Sequence, residues 1–442
     1  MPGDLTQVKA SADANGRGTL RGVASSFARN SWALADQGLI SASNFATLIL
    51  LARGLSPSDF GAFVLAYTGL VLLNGIQSAL ITQPHNVLGQ AHLGAGYPPY
   101  TTSTAAFQGA FALTGAALVV VAAGIVAQAD SDAAVILLAT VPALLGWQAQ
   151  EFARRILYTE TRFRMAFLTD LVAYGGQVVA FALLVAADVV TVPLALVVVG
   201  LTSAAGALVG VVAIRPSLGG RIRRDAVREN WHYGRWLAAG TVASWFVGQG
   251  AVYLVAVLID AAASAGLKAA QVILGPLNVF FLFLATVLPI RLAATRKVAG
   301  DAGLGESLGR VFRIGALPVL AYCALTSVFA EPILTTLYGS EYAGYAGVVR
   351  ILGVYYLVMY GLVLLYSALA ARRQTRELFL GNLYGAVVAL VTGWVCIEAW
   401  GVNGAALGML FGAIAAAIMY WLTFRRPAEG PTSTTSMAVE PH

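Results

Sequence analysis

The sequence predicts an all-α polytopic membrane protein of about twelve transmembrane helices in two six-helix bundles, on three observations. First, hydrophobic residues make up 58% of the 442 and charged residues only 11%, with a mean hydropathy of +0.76, far from the balance of a soluble globular chain. Second, apolar runs of the roughly 20 residues needed to cross a bilayer core follow one another almost from end to end. Third, Lys and Arg are concentrated in alternate connections, the pattern of cytoplasmic loops. The net charge of +6 is therefore assigned to those loops, and no nucleic acid partner is expected.

Taken in order, spans are expected near 30–52, 60–83, 105–128, 132–152, 165–187 and 192–214, then near 233–259, 267–290, 311–333, 347–371, 377–399 and 401–424. The first two form a hairpin whose elbow is Gly54-Leu55-Ser56-Pro57-Ser58-Asp59. Gly54 and Pro57 stop the first helix and Ser58 or Asp59 caps the second. The segment 84–104 is expected as an uncharged cytoplasmic connection.

The domain plan follows from these spans. Residues 1–29 form a cytoplasmic N-terminal tail and 30–214 the N-terminal six-helix bundle. A basic cytoplasmic linker occupies 215–232, the C-terminal six-helix bundle 233–424, and a Pro/Ser/Thr-rich disordered cytoplasmic tail 425–442. Under this plan 24 of the 27 Lys and Arg fall in the termini and even-numbered loops. Arg53, Lys268 and Arg350 are the exceptions. Arg154 and Arg155 read as topology determinants of the second cytoplasmic loop.

No HExxH, CxxC, P-loop or GxSxG arrangement is present, so no catalytic or metal-binding residues are expected and the chain reads as a non-enzyme. Cys323 and Cys396 lie in apolar runs and read as small buried side chains. The polar residues inside the spans carry the functional signal instead. At 100° per residue, Asp36, Gln37 and Asn44 share one face of span one, and Asn74 and Gln77 one face of span two. Asp170, Tyr174 and Gln177 form the tightest stripe, in span five. Gln249 in span seven, and Gln271, Asn278 and Lys268 in span eight, form further stripes. Amides in such places either hydrogen-bond a neighbouring helix or line a hydrated path, one expected between the halves. Asp36 and Asp170 point more strongly to function, because a carboxylate within a span is rare and costly.

The elbow Ala52-Arg53-Gly54-Leu55-Ser56-Pro57-Ser58-Asp59-Phe60-Gly61 resembles that of the O-antigen and exopolysaccharide (Wzx-type) flippases of the multidrug/oligosaccharidyl-lipid/polysaccharide (MOP) exporter superfamily. The elbow there reads Arg-x-Leu-x-Pro-x-acid-aromatic-Gly. The resemblance implies a V-shaped, MATE-like pair of bundles in the bacterial cytoplasmic (inner) membrane. These would move a polyprenyl-(pyro)phosphate-linked oligosaccharide to the outer leaflet by alternating access. The implied partners are that lipid-linked oligosaccharide and membrane lipids, with a complex with a polysaccharide polymerase or glycosyltransferases left open. No cofactor is implied, and a coupling H+ or Na+ is left open. A cation-coupled multidrug exporter is the nearest alternative, and a membrane-embedded sugar polymerase or ligase a more distant one. Arg53, a cation at the outer end of span one, suits a phosphate-bearing head group.

The charge alternation sets a first test. Reporter fusions after Ala127, Asp188, Asp260 and Ser340 are expected to read outside, and those after Arg162, Arg223, Lys297 and Arg373 inside. One inverted pair breaks the twelve-span plan.

Overall fold

The structure is a computed structural model that describes residues 31–372 and 374–426. The expected tail over 1–29, residues 427–442 of the expected C-terminal tail, and Arg373 lie outside the described residues. Regular structure among the described residues is helical throughout. The chain divides into two compact units, Met1–Val242 and Ala243–His442.

Unit 1 holds α1 (Ser31–Gly54), α2 (Pro57–Ala91), α3 (Tyr97–Val126), α4 (Ser131–Thr159), α5 (Phe163–Ala186), α6 (Val192–Ile214) and the first part of α7 (Arg224–Leu258). The cap at the elbow is Ser56 rather than Ser58 or Asp59. Its hydroxyl accepts the Asp59 N–H at 3.1 Å and donates to the Asp59 carboxylate at 2.7 Å. Pro57, with its fixed φ and missing N–H, then starts the helix instead of only stopping the one before.

The segment 84–104, expected as an uncharged connection, is mostly helix: α2 continues to Ala91 and α3 begins at Tyr97. Pro84 is accommodated by a π-turn over Ser78–Thr82, in which the Gln83 N–H reaches back to Ser78 O. The proline follows that widened turn and, having no N–H to place, does not end the helix. Span four likewise runs past 152 to Thr159, which carries Arg154 and Arg155 into the helix. Close approach of α4 and α6 depends on Gly146 and Gly200. A Cβ on Gly146 would overlap the Gly200 carbonyl, and one on Gly200 would lie 2.6 Å from the Pro142 backbone.

Unit 2 holds the rest of α7, then α8 (Ala261–Ile273), α9 (Gly275–Val328), α10 (Ala330–Tyr338), α11 (Ala346–Ala371), α12 (Thr375–Trp400) and α13 (Val402–Arg425). The span expected at 267–290 is broken between α8 and α9, where Leu274 precedes Gly275-Pro276 and proline cannot continue the ladder. The 54 residues of α9 are interrupted at Gly300, whose φ of 65° and ψ of −163° suit glycine alone.

Ten of the described helices are long and apolar enough to cross a membrane. One of them, Gly275–Val328, contributes residues to two expected spans on either side of Gly300, and Arg224–Leu258 carries the expected seventh. Large apolar side chains such as Leu113, Leu118 and Ile125 of α3 stand exposed along these helices, as lipid contact requires. The chain is a multi-pass membrane protein.

The glycine crossing can be tested by size. Gly146→Leu is expected to destabilise unit 1 by ~1–3 kcal/mol through overpacking. Gly109→Ala, where an added Cβ meets nothing within 4 Å, is expected to be neutral or mildly stabilising. Thermal unfolding in detergent separates the two, and equal midpoints would reject the crossing.

Candidate functional site

On α4, Trp147, Glu151, Arg154 and Tyr158 recur at helical spacing and occupy one face. Arg154 is 8% exposed, and three carboxylates from three helices surround it. Its Nε and Nη2 donate to Glu151 Oε2 at 2.9 and 2.6 Å. Its Nη1 lies 3.6 Å from Asp36 Oδ2 of α1, and its Nε 3.7 Å from Asp170 Oδ2 of α5. The other Glu151 oxygen accepts from Arg155 Nε at 2.6 Å. The Tyr158 hydroxyl donates to Asp36 Oδ2 at 2.6 Å, and the Gln150 amide donates to Asp170 Oδ1. Asp36 and Asp170 are both fully buried.

The charge count is uneven. Among the described residues Asp36, Glu151 and Asp170 form ion pairs with Arg154 and Arg155 only, three acids to two bases. Asp36 Oδ1 and Asp170 Oδ2 are buried without a hydrogen-bond partner. In apolar surroundings an uncompensated charge costs several kcal/mol. The cluster is thus chemically suited to take up one positive charge as a proton.

Beside it lies a buried amide layer. Gln77 Nε2 donates to Gln108 Oε1 and to the Gln148 carbonyl, each at 2.8 Å, and Gln108 Nε2 donates to Gln148 Oε1 at 3.3 Å. Gln177 Nε2 donates to Thr47 Oγ1 at 3.1 Å. The Trp147 indole donates to the Tyr174 hydroxyl at 3.2 Å and stacks on Tyr67, whose hydroxyl is 3.5 Å from Asn44 Oδ1.

The stripes read from sequence on α1, α2 and α5 therefore meet, with Asp36, Asn44, Gln77, Asp170, Tyr174 and Gln177 finding partners inside unit 1. Asn74 is half-buried, with its Oδ1 unpartnered. Gln37 and Arg53 are exposed and stand outside the cluster. In unit 2, Lys268 Nζ is 3.4 Å from Gln249 Oε1, Gln271 Nε2 is 3.7 Å from Met409 Sδ, and Asn278 Nδ2 donates to the Tyr356 hydroxyl at 2.9 Å.

Sequence reasoning missed the centre of the site. Arg154 is a buried ion-pair partner rather than a loop charge, and Glu151, Gln150, Tyr158, Gln108 and Gln148 were not singled out. The signal was present in the spacing of Glu151 with Arg154 and Arg155, at i+3 and i+4, which marks a helix continuing through the arginines.

The fold is that of the MOP-superfamily transporters. It matches the inward-facing conformation of a multidrug resistance MATE family transporter with a TM-score of 0.74, at 15% identity over 87% of this chain and 93% of that one. It matches the inward closed conformation of the lipid II flippase MurJ with a TM-score of 0.72, at 14% identity over 89% and 88%. A MOP superfamily transporter from Pyrococcus furiosus matches at 0.61, with 14% identity over 88% and 92%. No curated protein matches in sequence. The profile described as "Polysaccharide biosynthesis protein" matches residues 50–347, and the chain belongs to that family.

The ion-pair cluster predicts a specific stability pattern. Arg154→Gln leaves three buried carboxylates beside Arg155 alone and is expected to cost about 3–5 kcal/mol. Adding Asp36→Asn and Asp170→Asn is expected to restore most of that loss. Unfolding midpoints of the wild type, Arg154→Gln and the triple variant measure it, and a triple variant no more stable than Arg154→Gln would reject the pairing.

Proposed function

We propose that this protein is a flippase that carries a polyprenyl-(pyro)phosphate-linked oligosaccharide from the cytoplasmic to the outer leaflet by alternating access, for surface polysaccharide biosynthesis. Membership of the polysaccharide biosynthesis protein family carries the reading. The likeness in fold to a lipid II flippase supports a lipid-linked cargo. On this reading the chain sits in the bacterial cytoplasmic membrane with both termini inside and performs no covalent chemistry. Its partners are the lipid-linked oligosaccharide and membrane lipids, with a polysaccharide polymerase or glycosyltransferases acting beside it.

The side chains suit these roles. Arg53 offers a guanidinium, which binds phosphate through two parallel hydrogen bonds, and Lys268 offers a point charge. Amides such as Gln249, Gln271 and Asn278 suit sugar hydroxyls. Asp36 and Asp170 suit a coupling H+, because the cluster around Arg154 has one carboxylate in excess. The acid excess and the likeness to a multidrug MATE transporter also suit a cation-coupled multidrug exporter, which is the second reading.

Surface glycan in a flippase-null cell, compared at matched protein level, tests the proposal. Wild type is expected to restore glycan, Asp36→Asn with Asp170→Asn to lower it at least tenfold, Arg53→Lys to keep part of it and Arg53→Ala to lose most. Failure of the wild-type chain to restore glycan, with a gain in drug resistance, would favour the exporter. Full glycan from the double Asp variant would remove the coupling role alone.

A further inference from the structure

At one end of unit 2 the break at Gly300 opens a concavity of about 630 Å³, lined by Ala293, Ala294, Arg296, Lys297, Gly300, Asp301 and Ala371. Its walls are small residues and its polar groups are charged. The φ of 65° at Gly300 turns the chain there, and an added Cβ would meet nothing within 4 Å, so the space is open. The Asp301 carboxylate clasps two guanidiniums across the break, accepting from Arg296 Nε at 2.8 Å and lying 3.2 Å from Arg372 Nη2. Arg372 is held in turn by the Phe424 carbonyl at 2.7 Å and by the Phe424 ring, 4.4 Å from its guanidinium carbon. Lys297 is exposed and makes no ion pair among the described residues. The group of Arg296, Lys297, Arg372 and Asp301 thus carries two positive charges in excess, on a scaffold already fixed by its own contacts.

The surroundings indicate depth. Val298 is 90% exposed and Ile290 71%, so apolar surface suited to acyl chains borders the cations on the same helix. A basic pocket at the end of transmembrane helices, beside lipid-facing surface, is a head-group site in physical terms. The amide layer and Lys268 lie elsewhere in the sequence and do not contribute to it.

We propose that this concavity binds a phosphate-bearing group, with Arg296 and Lys297 meeting the phosphate oxygens and Ala293, Ala294 and Ala371 giving it room. An anionic phospholipid of the bilayer or free inorganic phosphate can supply that chemistry. The inference does not rest on the transport reading.

The full chain, purified in detergent, would be offered phosphatidylglycerol and phosphatidylcholine in equal amounts, and inorganic phosphate separately, with bound species read by native mass spectrometry. Lys297→Gln removes a cation and leaves the Asp301 clasp intact. Ala294→Leu fills the space and leaves every charge in place. Preferential retention of phosphatidylglycerol, lowered about fivefold by each variant, identifies a lipid occupant. Retention of inorganic phosphate that both variants lower, with no preference between the lipids, identifies the free ion. A response to Lys297→Gln but not to Ala294→Leu would mean diffuse surface attraction and overturn the site. So would retention that neither variant changes.

Discussion

A guanidinium cannot lose its proton, and inside a bundle of apolar helices it must be met by acids or expelled to the interface. Arg154 is that constraint in this protein. It is held by Glu151 on its own helix, by Asp36 on α1 and by Asp170 on α5, so one side chain fixes how three helices meet. The hydrophobic cluster of Leu80, Ile81, Phe152, Ala153, Ile156 and Leu157 is built from the same stretch of α4 and from α2 packed against it. A buried ion pair is weak evidence for stability, since apolar residues of similar volume often do as well. A cluster with an unmatched carboxylate is weaker still as a structural device. Its chemistry, the capacity to accept a positive charge, is the better account of why a fold would carry it.

The backbone near the cluster departs from regular helix in two places, each next to a buried polar side chain. The π-turn Leu171–Gly175 begins directly after Asp170, and Ser78–Thr82 directly after Gln77. A π-turn inserts one extra residue and rotates the following face. Asp170, Tyr174 and Gln177 are all buried even though the turn between them is not α-helical, so the stripe drawn at 100° per residue is only approximate there. The same device lets α2 continue through Pro84 and bring His85 into the interior, where its ring nitrogens lie 3.2 Å from the Thr159 and Thr101 hydroxyls.

Much of this was legible because lipid leaves little choice. Length and hydropathy sufficed for the helical class, and the costly residues Asp36 and Asp170 stood out because an acid in a span needs a reason. What was not legible was pairing. Arg154 and Arg155 look like any basic pair at the end of an apolar run, and only the folded chain shows Asp36 brought beside them. Helix ends were misplaced for a related reason. Polar residues such as His85, Gln90 and Asn86 resemble a loop, yet they find partners in Thr159 and stay helical. The Gly275-Pro276 break was readable in principle, since proline without an N–H ends the helix before it.

Each unit holds polar groups whose bonding capacity is incompletely used. In unit 1 the buried atoms at or beside the cluster that lack a hydrogen-bond partner are mostly acceptors, Asp36 Oδ1, Asp170 Oδ2, Gln150 Oε1 and Gln77 Oε1, with the Gln148 amide nitrogen a donor among them. In unit 2 Lys268 has three N–H donors, and its hydrogen bond to Gln249 Oε1 is long at 3.4 Å. Spare buried acceptors favour a cation, and spare donors on an ammonium favour an anion. A transporter that couples uptake of H+ to movement of a phosphate-bearing cargo needs one of each, at sites that do not compete. A drug exporter with a cationic substrate would gain nothing from Lys268. Within the proposed transport reading, the ammonium of Lys268 is the feature of unit 2 that favours a phosphate-bearing cargo over a cationic drug.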